Sequence, residues 1–122
     1  MSTTLRSSRE VILRTDRFEE AVRFYADVLG LPVSHQGGNI VGFETGAFTL
    51  YVEAGRPHEP VFELLVPDVS ATKASLLARG CVVVEEDASV PRCYLRDPFG
   101  FTFNIGREPG PRPVPDNAVR AS

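Results

Sequence analysis

The polar residues of this chain that could bind or transform a small molecule stand at alternating positions of predicted strands. Glu10 and Arg14 are four residues apart in one such segment, and Tyr51 and Glu53 are two apart in another. Alternate side chains of a strand point to the same face of a sheet, so each pair is expected to share a face. Carboxylates, a phenol and a guanidinium on one surface could hold a ligand through charge and hydrogen bonds, or could act as acid and base.

Three strands in the second half of the chain carry further candidates. The same parity places Glu63 and Asn104 on the polar face, and Tyr94 could supply stacking surface. Asn104 lies in the segment RDPFGFTFNIG (96–106), where a turn leads into an alternating strand. An amide donates and accepts hydrogen bonds at once, which suits orienting a polar ligand or bridging to Tyr51. Alternatively, Asn104 bonds a neighbouring side chain and has no further role.

Arg14 also has two interpretations. It could bind an anionic part of a ligand, or it could pair with Glu10 or Glu63, and pairing is favoured because buried arginines are seldom left alone. Together the acidic and aromatic candidates favour a cationic or neutral, partly aromatic ligand. The predicted ligand-binding residues are Glu10, Arg14, Tyr51, Glu53, Glu63, Tyr94 and Asn104.

These residues are positioned by elements that occur twice in the same order. A strand at about 10–14 precedes an amphipathic helix, for which Asp16 is the predicted N-cap and Gly30 the end, and three short strands follow. After AGRPHEP (54–60) the order repeats, with a helix that begins at Asp68 or Ser70. We therefore predict an α+β fold made of two βαβββ modules. The predicted segments are a flexible N-terminus (1–9), one domain (10–106) with modules at about 10–53 and 61–106, a linker (54–60) and a Pro-rich tail (107–122).

Composition bounds the classes of function. A hydrophobic content of 43% suits a globular domain, and a net charge of -3 without a basic cluster argues against nucleic acid and membrane surfaces as partners. There is no long apolar run and no secretory signal at the start, so a cytoplasmic location is expected. Cys81 and Cys93 are predicted to lie too far apart for a disulfide.

The polar sheet face has two possible arrangements. It could be a solvated face of an ordinary antiparallel sheet. Alternatively, the two modules could curl together, so that the polar residues line a cup. The alternating pattern does not decide between them.

Two motifs resemble those of the vicinal oxygen chelate superfamily, which includes glyoxalase I, bleomycin-resistance proteins and extradiol dioxygenases. EVILRTDRFEEAVRFYADVLGLPV (10–33) resembles its opening strand and helix, and YLRDPFGFTFNI (94–105) resembles its closing turn and strand. The resemblance covers residues 10–106. It implies a curved mixed sheet that forms a cup, and it implies a homodimer, either side by side or with exchanged modules.

The resemblance also implies where a metal ion would be held. In metal-dependent members the ligands come from four inward strand positions, which correspond here to Glu10, Tyr51, Val61 and Asn104. Val61 has no donor and Tyr51 is neutral near pH 7, so Glu10 is the one ordinary ligand and we expect no metal cofactor. A carboxylate site displaced to Glu53 and Glu63 is the remaining way to bind a metal.

Three functions follow from these expectations. The first is a metal-free protein that sequesters a small organic molecule, such as an antibiotic, in the manner of bleomycin-resistance proteins. The second is a divalent-metal-dependent lyase, isomerase or dioxygenase with an altered site. The third is a metal-free enzyme with Glu10 or Glu63 as general base and Tyr51 as proton donor. The missing metal ligands favour binding over catalysis.

Overall fold

Two modules of one helix and four strands build the fold. The computed structural model describes residues 5–108. The elements are β1 (Arg6–Thr15), α1 (Phe18–Arg23) with a π-helical segment after it (Phe24–Val28), β2 (Val33–Gln36), β3 (Ile40–Glu44), β4 (Thr49–Ala54), β5 (His58–Val66), α2 (Val69–Ala78), β6 (Val82–Asp87), β7 (Arg92–Arg96) and β8 (Thr102–Arg107). This order confirms the paired βαβββ modules predicted from the sequence. No helix in the described range is long and apolar enough to span a bilayer.

All eight strands form one mixed sheet with the order β2-β3-β4-β1-β5-β8-β7-β6. Within the modules, β1 runs parallel to β4 and β5 runs parallel to β8. The modules are joined where β1 pairs with β5 in antiparallel orientation. One chain therefore builds the whole sheet, and self-association or exchange of modules stays a prediction.

The sheet is curved, as the resemblance implies. β6 lies four places from β1 in the strand order, which in a flat sheet is roughly 19 Å at the usual strand spacing. Nevertheless, Arg14 on β1 contacts Glu85 on β6, with Nη2 3.0 Å from Oε2. The two strands must face each other across a concavity for these side chains to meet. The solvated flat sheet face, which the sequence left open, is therefore excluded.

The core lies between the convex face of the sheet and the two helices. In the first module Phe43 and Val52 are fully buried against α1, and in the second Leu95 and Ile105 pack with residues of α2. Phe62 and Phe101 have the strand parity of this core, but they remain 44% and 42% exposed. Their rings, both from the second module, contact each other with centroids 5.4 Å apart.

The first helix begins differently from the prediction, and the second as predicted. Asp16 does not cap α1: the helix follows Arg17, whose backbone N–H donates to the Thr15 hydroxyl at 3.0 Å. Among the described residues, no side chain accepts a hydrogen bond from the first turn of α1, and the contact between Thr15 and Arg17 is a local turn that precedes the helix. Asp68 caps α2 as predicted, because its carboxylate accepts from the backbone N–H of Ala71 at 3.0 Å.

Several predicted boundaries are corrected by main-chain pairing. β1 begins at Arg6, inside the predicted flexible N-terminus, because Arg6 pairs with Leu65 of β5. β5 begins at His58, so the predicted linker 54–60 contributes its last residues to a strand. β8 includes Arg107, the first residue of the predicted tail. The remainder of that tail, 109–122, and residues 1–4 lie outside the described residues.

Candidate functional site

The concave face of the sheet carries the polar side chains that strand parity predicts for it. Across β1 and its two neighbours, Ile12 pairs with Tyr51 on β4 and with Val61 on β5. One step further, Glu63 on β5 pairs with Asn104 on β8. Residues opposite each other on adjacent strands point to the same face, so these residues belong to one surface inside the cup.

A cavity of about 190 Å³ lies on this surface. Four of the seven predicted ligand-binding residues line it: Glu53, Glu63, Tyr94 and Asn104. The rest of the wall has two parts. Ile12 and Ile40 come from the first module, and Val90, Pro91 and Arg92 come from the β6–β7 turn and the start of β7. Glu10, Arg14 and Tyr51 share the concave face but do not line this cavity.

Asn104 orients a carboxylate. Its side-chain oxygen accepts from the backbone N–H of Cys93 at 2.8 Å, which leaves its amide nitrogen to donate to Glu63 Oε2 at 3.2 Å. The predicted bridge from Asn104 to Tyr51 is not formed, because both ends of the amide are engaged within the second module. Gly106 leaves room for the carboxylate, since a Cβ atom there would lie 2.8 Å from Glu63 Oε2. Glu63 is thereby held at the cavity wall.

The negative charge of Glu63 acts on Glu10, and that of Glu10 acts on Tyr51. Although Glu10 is exposed as a residue, partial burial of its carboxyl raises its pKa, and the negative charge of Glu63 raises it further. Burial also raises the pKa of Tyr51, and the charge of Glu10 adds to the effect. Within residues 5–108 neither Glu10 nor Glu63 forms an ion pair. This part of the cup therefore has negative charge without a cation beside it.

Replacing Glu10 by Gln is expected to remove part of the pH dependence of stability. The folded pKa of Glu10 is raised, so over a window above about pH 4.3 the folded protein holds a proton that the unfolded chain has lost. The free energy of unfolding therefore falls as pH rises through that window. Glu10→Gln should therefore raise the melting temperature relative to the wild type above the window, and the difference should vanish below it. Thermal unfolding followed by circular dichroism across pH checks this.

The exposed Glu59 provides the control for this measurement, because Glu59→Gln removes the same charge from the rim of β5. A difference between wild type and Glu10→Gln that does not change with pH would contradict the expectation.

Arg14 belongs to a ring of four alternating charges, and its predicted pairing with Glu10 or Glu63 is wrong. Its guanidinium donates to both oxygens of Glu85, at 3.3 and 3.0 Å, and its Nε lies 3.4 Å from Glu53. Arg92 closes the ring, with contacts to Glu85 at 3.2 Å and to Glu53 at 3.7 Å. The β1–β4 register places Arg14 opposite Glu53, whereas Glu10 lies four residues back along β1, opposite Thr49. The hydrogen bonds from Arg14 lower the pKa of Glu85.

Tyr94 forms the inner wall beside this ring and is only 3% exposed. The Arg92 guanidinium lies over its ring at 5.6 Å from the centroid, and the His58 ring meets it edge-on at 5.4 Å. Burial raises the pKa of the Tyr94 hydroxyl. His58 is half-buried because β5 begins there and pairs with Arg14 of β1. The face of Tyr94 is thus already engaged by Arg92, which limits its predicted role in stacking.

Sequence reasoning did not find Glu85 or Arg92. Arg92 stands two residues before Tyr94 on β7, so strand alternation was a usable signal for placing it in the cup. Glu85 had no such signal, because its partner Arg14 lies 71 residues away and the contact depends on the curvature of the sheet.

A larger groove of about 780 Å³ lies outside the cup, between the first helix and the start of β5. Its apolar wall contains Phe24, Tyr25, Pro57 and Pro60. Of the charged residues that line it, Arg17 and Glu20 hydrogen-bond to each other at 2.7 Å, Arg14 is engaged by Glu53 and Glu85, and Glu59 is exposed. The cup remains the candidate site because four of the predicted ligand-binding residues line its cavity.

A cup formed by one eight-stranded sheet from two βαβββ modules, with polar residues on its concave face, defines the fold of the glyoxalase, bleomycin-resistance and dioxygenase superfamily. The family model described as "Glyoxalase-like domain" matches residues 10–106. The chain belongs to this family. A search of curated proteins finds no match.

Solved structures show the same fold at low sequence identity. A glyoxalase/bleomycin resistance protein/dioxygenase superfamily member from Vibrio splendidus 12B01 matches with a TM-score of 0.59 and 17% identity, over 86% of this chain and 100% of its own. An extradiol ring-cleaving dioxygenase from B. fuscum matches with a TM-score of 0.60 and 21% identity, over 87% of this chain. A Mn(II)-bound glyoxalase from Novosphingobium aromaticivorans matches with a TM-score of 0.56 and 24% identity, over 87% of this chain. The chain spans 33% of that dioxygenase and 40% of that glyoxalase.

The residues at the four metal-binding positions of the superfamily do not fit a divalent ion. Val61 has no donor atom, and the Asn104 oxygen already accepts a hydrogen bond from Cys93. Tyr51 would have to lose its proton, yet its pKa is raised. In the part of the chain that the structure describes, no three His, Cys, Asp or Glu side chains converge. The displaced carboxylates do not supply a site either, because Glu53 lies in the charge ring with Arg14 and Arg92.

Proposed function

We propose that this protein binds a small organic molecule with a cationic group in its cup, without a metal ion. The observation that carries the proposal is the Glu63 carboxylate, which Asn104 holds at the cavity wall at 3.2 Å and which forms no ion pair within residues 5–108. An ammonium group that enters the cavity would supply the missing positive charge. The apolar wall of Ile12, Ile40 and Val90 would cover the organic part of the ligand.

The strength of such a contact can be bounded. A hydrogen bond to a charged partner contributes about 1.5–3 kcal/mol, and it is stronger where water is excluded. Glu10 supports the same preference, since the raised pKa that Glu63 helps to cause also means that a cation near both groups is favoured. An antibiotic that carries an amino group is one member of this ligand class, and sequestering it would be one use of the site.

A second candidate is a metal-free enzyme in which Glu10 acts as general base and Tyr51 as proton donor. The observation in its favour is that the pKa of Glu10 is raised, which makes its carboxylate a stronger base, and that Glu10 is close enough to influence the hydroxyl of Tyr51. The two candidates differ in what Glu10→Gln would do. Loss of turnover with binding retained would favour the enzyme, whereas weaker binding of a cation, with no turnover in the wild type to lose, would favour the binding protein.

Glu63→Gln is expected to weaken the binding of benzylamine at least tenfold, which corresponds to about 1.4 kcal/mol. The amide keeps the shape and can still contact Asn104, but it cannot neutralise an ammonium group. Isothermal titration calorimetry of benzylamine against the wild type and the variant measures this change. Benzyl alcohol, which has a similar shape and no charge, should bind both proteins equally weakly.

Two controls accompany the titration. Glu59→Gln, at an exposed position of the same strand, should leave the affinity for benzylamine unchanged. Chelation with EDTA should leave the melting temperature unchanged. Equal affinity of wild type and Glu63→Gln for benzylamine would contradict the proposal, and so would a large drop in melting temperature on chelation.

A further inference from the structure

The cavity in the cup is small for a ligand site. Its volume of about 190 Å³ lies below the range of roughly 300–1,000 Å³ that pockets for drug-sized molecules occupy. The turn between β6 and β7 closes it on one side, because Val90 and Pro91 line the cavity opposite Ile12 and Ile40 of the first module. The size of the cavity therefore depends on how close this hairpin (Val82–Arg96) lies to the first module.

Side chains hold the hairpin in this position. β6 is the edge strand of the sheet, and the hairpin pairs through its main chain with β8 of its own module only. Its contacts to the first module include the charge ring, in which Glu85 and Arg92 meet Arg14 and Glu53. The side chains of Arg14, Glu53 and Arg92 are 9%, 20% and 22% exposed. Water and salt therefore weaken the ion pairs between them less than they weaken pairs at the surface.

Arg92 is the one member of the hairpin that belongs both to the ring and to the cavity wall. We infer that Arg92 sets the upper size limit of the ligand that the cup accepts, by filling the wall and by holding the hairpin against the first module. This inference rests on the proposed function, since it concerns the same cavity. It makes Arg92 a specificity-determining residue: small monocyclic cations are accepted and larger ones are excluded.

Removing Arg92 should leave a folded protein. Arg14 alone still contacts both Glu53 and Glu85, so neither carboxylate of the ring loses its last cation. Arg96→Ala is the matched control, because Arg96 is an exposed arginine of the same strand whose hydrogen bond goes to Thr102 of β8 and not to the first module. Arg92→Lys is a second variant, which keeps the charge but loses the planar fork that can meet two carboxylates.

The experiment titrates three amines of increasing size with the same charged group: benzylamine, naphthylmethylamine and biphenylmethylamine. The wild type and Arg96→Ala should bind benzylamine at least tenfold more tightly than biphenylmethylamine. In Arg92→Ala this ratio should fall at least tenfold, mainly through tighter binding of the largest amine, and Arg92→Lys should lie between the two. Hydrogen exchange of the β6 amides should be faster in Arg92→Ala than in Arg96→Ala.

The outcomes separate this inference from the proposed function. If benzylamine binds and the ratio is the same in Arg92→Ala as in the wild type, the size limit is overturned and the proposed function stands. If no amine binds to any of the four proteins, the proposed function fails. The size limit falls with it, and hydrogen exchange then tests only whether Arg92 holds the hairpin: faster exchange of β6 in Arg92→Ala than in Arg96→Ala supports that part, and equal exchange overturns it as well.

Discussion

Replacement of Arg14 by Met is expected to lower the free energy of unfolding by about 2–4 kcal/mol, somewhat less than the cost of breaking a fully buried ion pair. Methionine keeps most of the side-chain volume, so the loss measures the charge contacts. Without the guanidinium, Glu53 and Glu85 face each other across the cup with Arg92 as their shared cation. Urea unfolding of wild type and variant measures the difference, with an unchanged dependence on urea concentration.

Arg17→Met is the matched control for this prediction. Arg17 also pairs with a glutamate, Glu20, at the short distance of 2.7 Å, but the two side chains are 74% and 60% exposed. Exposed pairs of this kind contribute little to stability, because solvent screens them. Comparing Arg14→Met with Arg17→Met therefore shows whether the loss of stability comes from the burial of the ion pair or from its short distance. Similar losses in the two variants would show that the charge ring contributes no more than a surface pair.

Asn104→Asp is expected to cost about 2–4 kcal/mol at pH 7, because it places a second carboxylate beside Glu63 in a buried position. The substitution preserves shape and still accepts from the Cys93 N–H, so it changes only the contact with Glu63. Burial and the neighbouring charge raise the folded pKa of the introduced group above its unfolded value of about 3.9. The penalty is therefore absent below about pH 4 and grows as pH rises through the folded pKa.

Urea unfolding of wild type and Asn104→Asp at acid and neutral pH measures this dependence. Asn39→Asp, at an exposed position before β3, adds the same charge without burial and should change stability by less than about 0.5 kcal/mol. A loss of stability in Asn104→Asp that is the same at both pH values would point to a steric cause and contradict the assigned hydrogen bond to Glu63.

The elements and faces of this fold could be predicted because they depend on local rules. Alternation along β5 and β8 places Glu63 and Asn104 on one face, and the Asp68 cap needs only its own helix. The Asp16 cap was wrong because α1 begins one residue later than the spacing suggests, with Arg17 at the N-cap position and no side-chain cap. Local rules cannot place such a boundary without the backbone conformation.

The charge partners could not be predicted, because they depend on how far the sheet curls. Arg14 and Glu53 lie on neighbouring strands, and a correct β1–β4 register would have paired them. Arg14 and Glu85 lie four strands apart, and strand order alone would separate them. The same limit applies to the volume of the cavity, which is decided by the position of Val90 and Pro91 and not by any residue type in the strands.

The antiparallel pairing of β1 with β5 connects the modules through the main chain, and the charge ring connects them a second time through side chains across the concavity of the cup. For a molecule held in these two ways, we expect the easiest large motion to be one in which the charge ring opens and the sheet flattens. The β1–β5 pairing consists of main-chain hydrogen bonds, so its strength depends little on the identity of single side chains. The charge ring consists of four side chains, so substitutions there can change how often the cup opens while the fold stays the same.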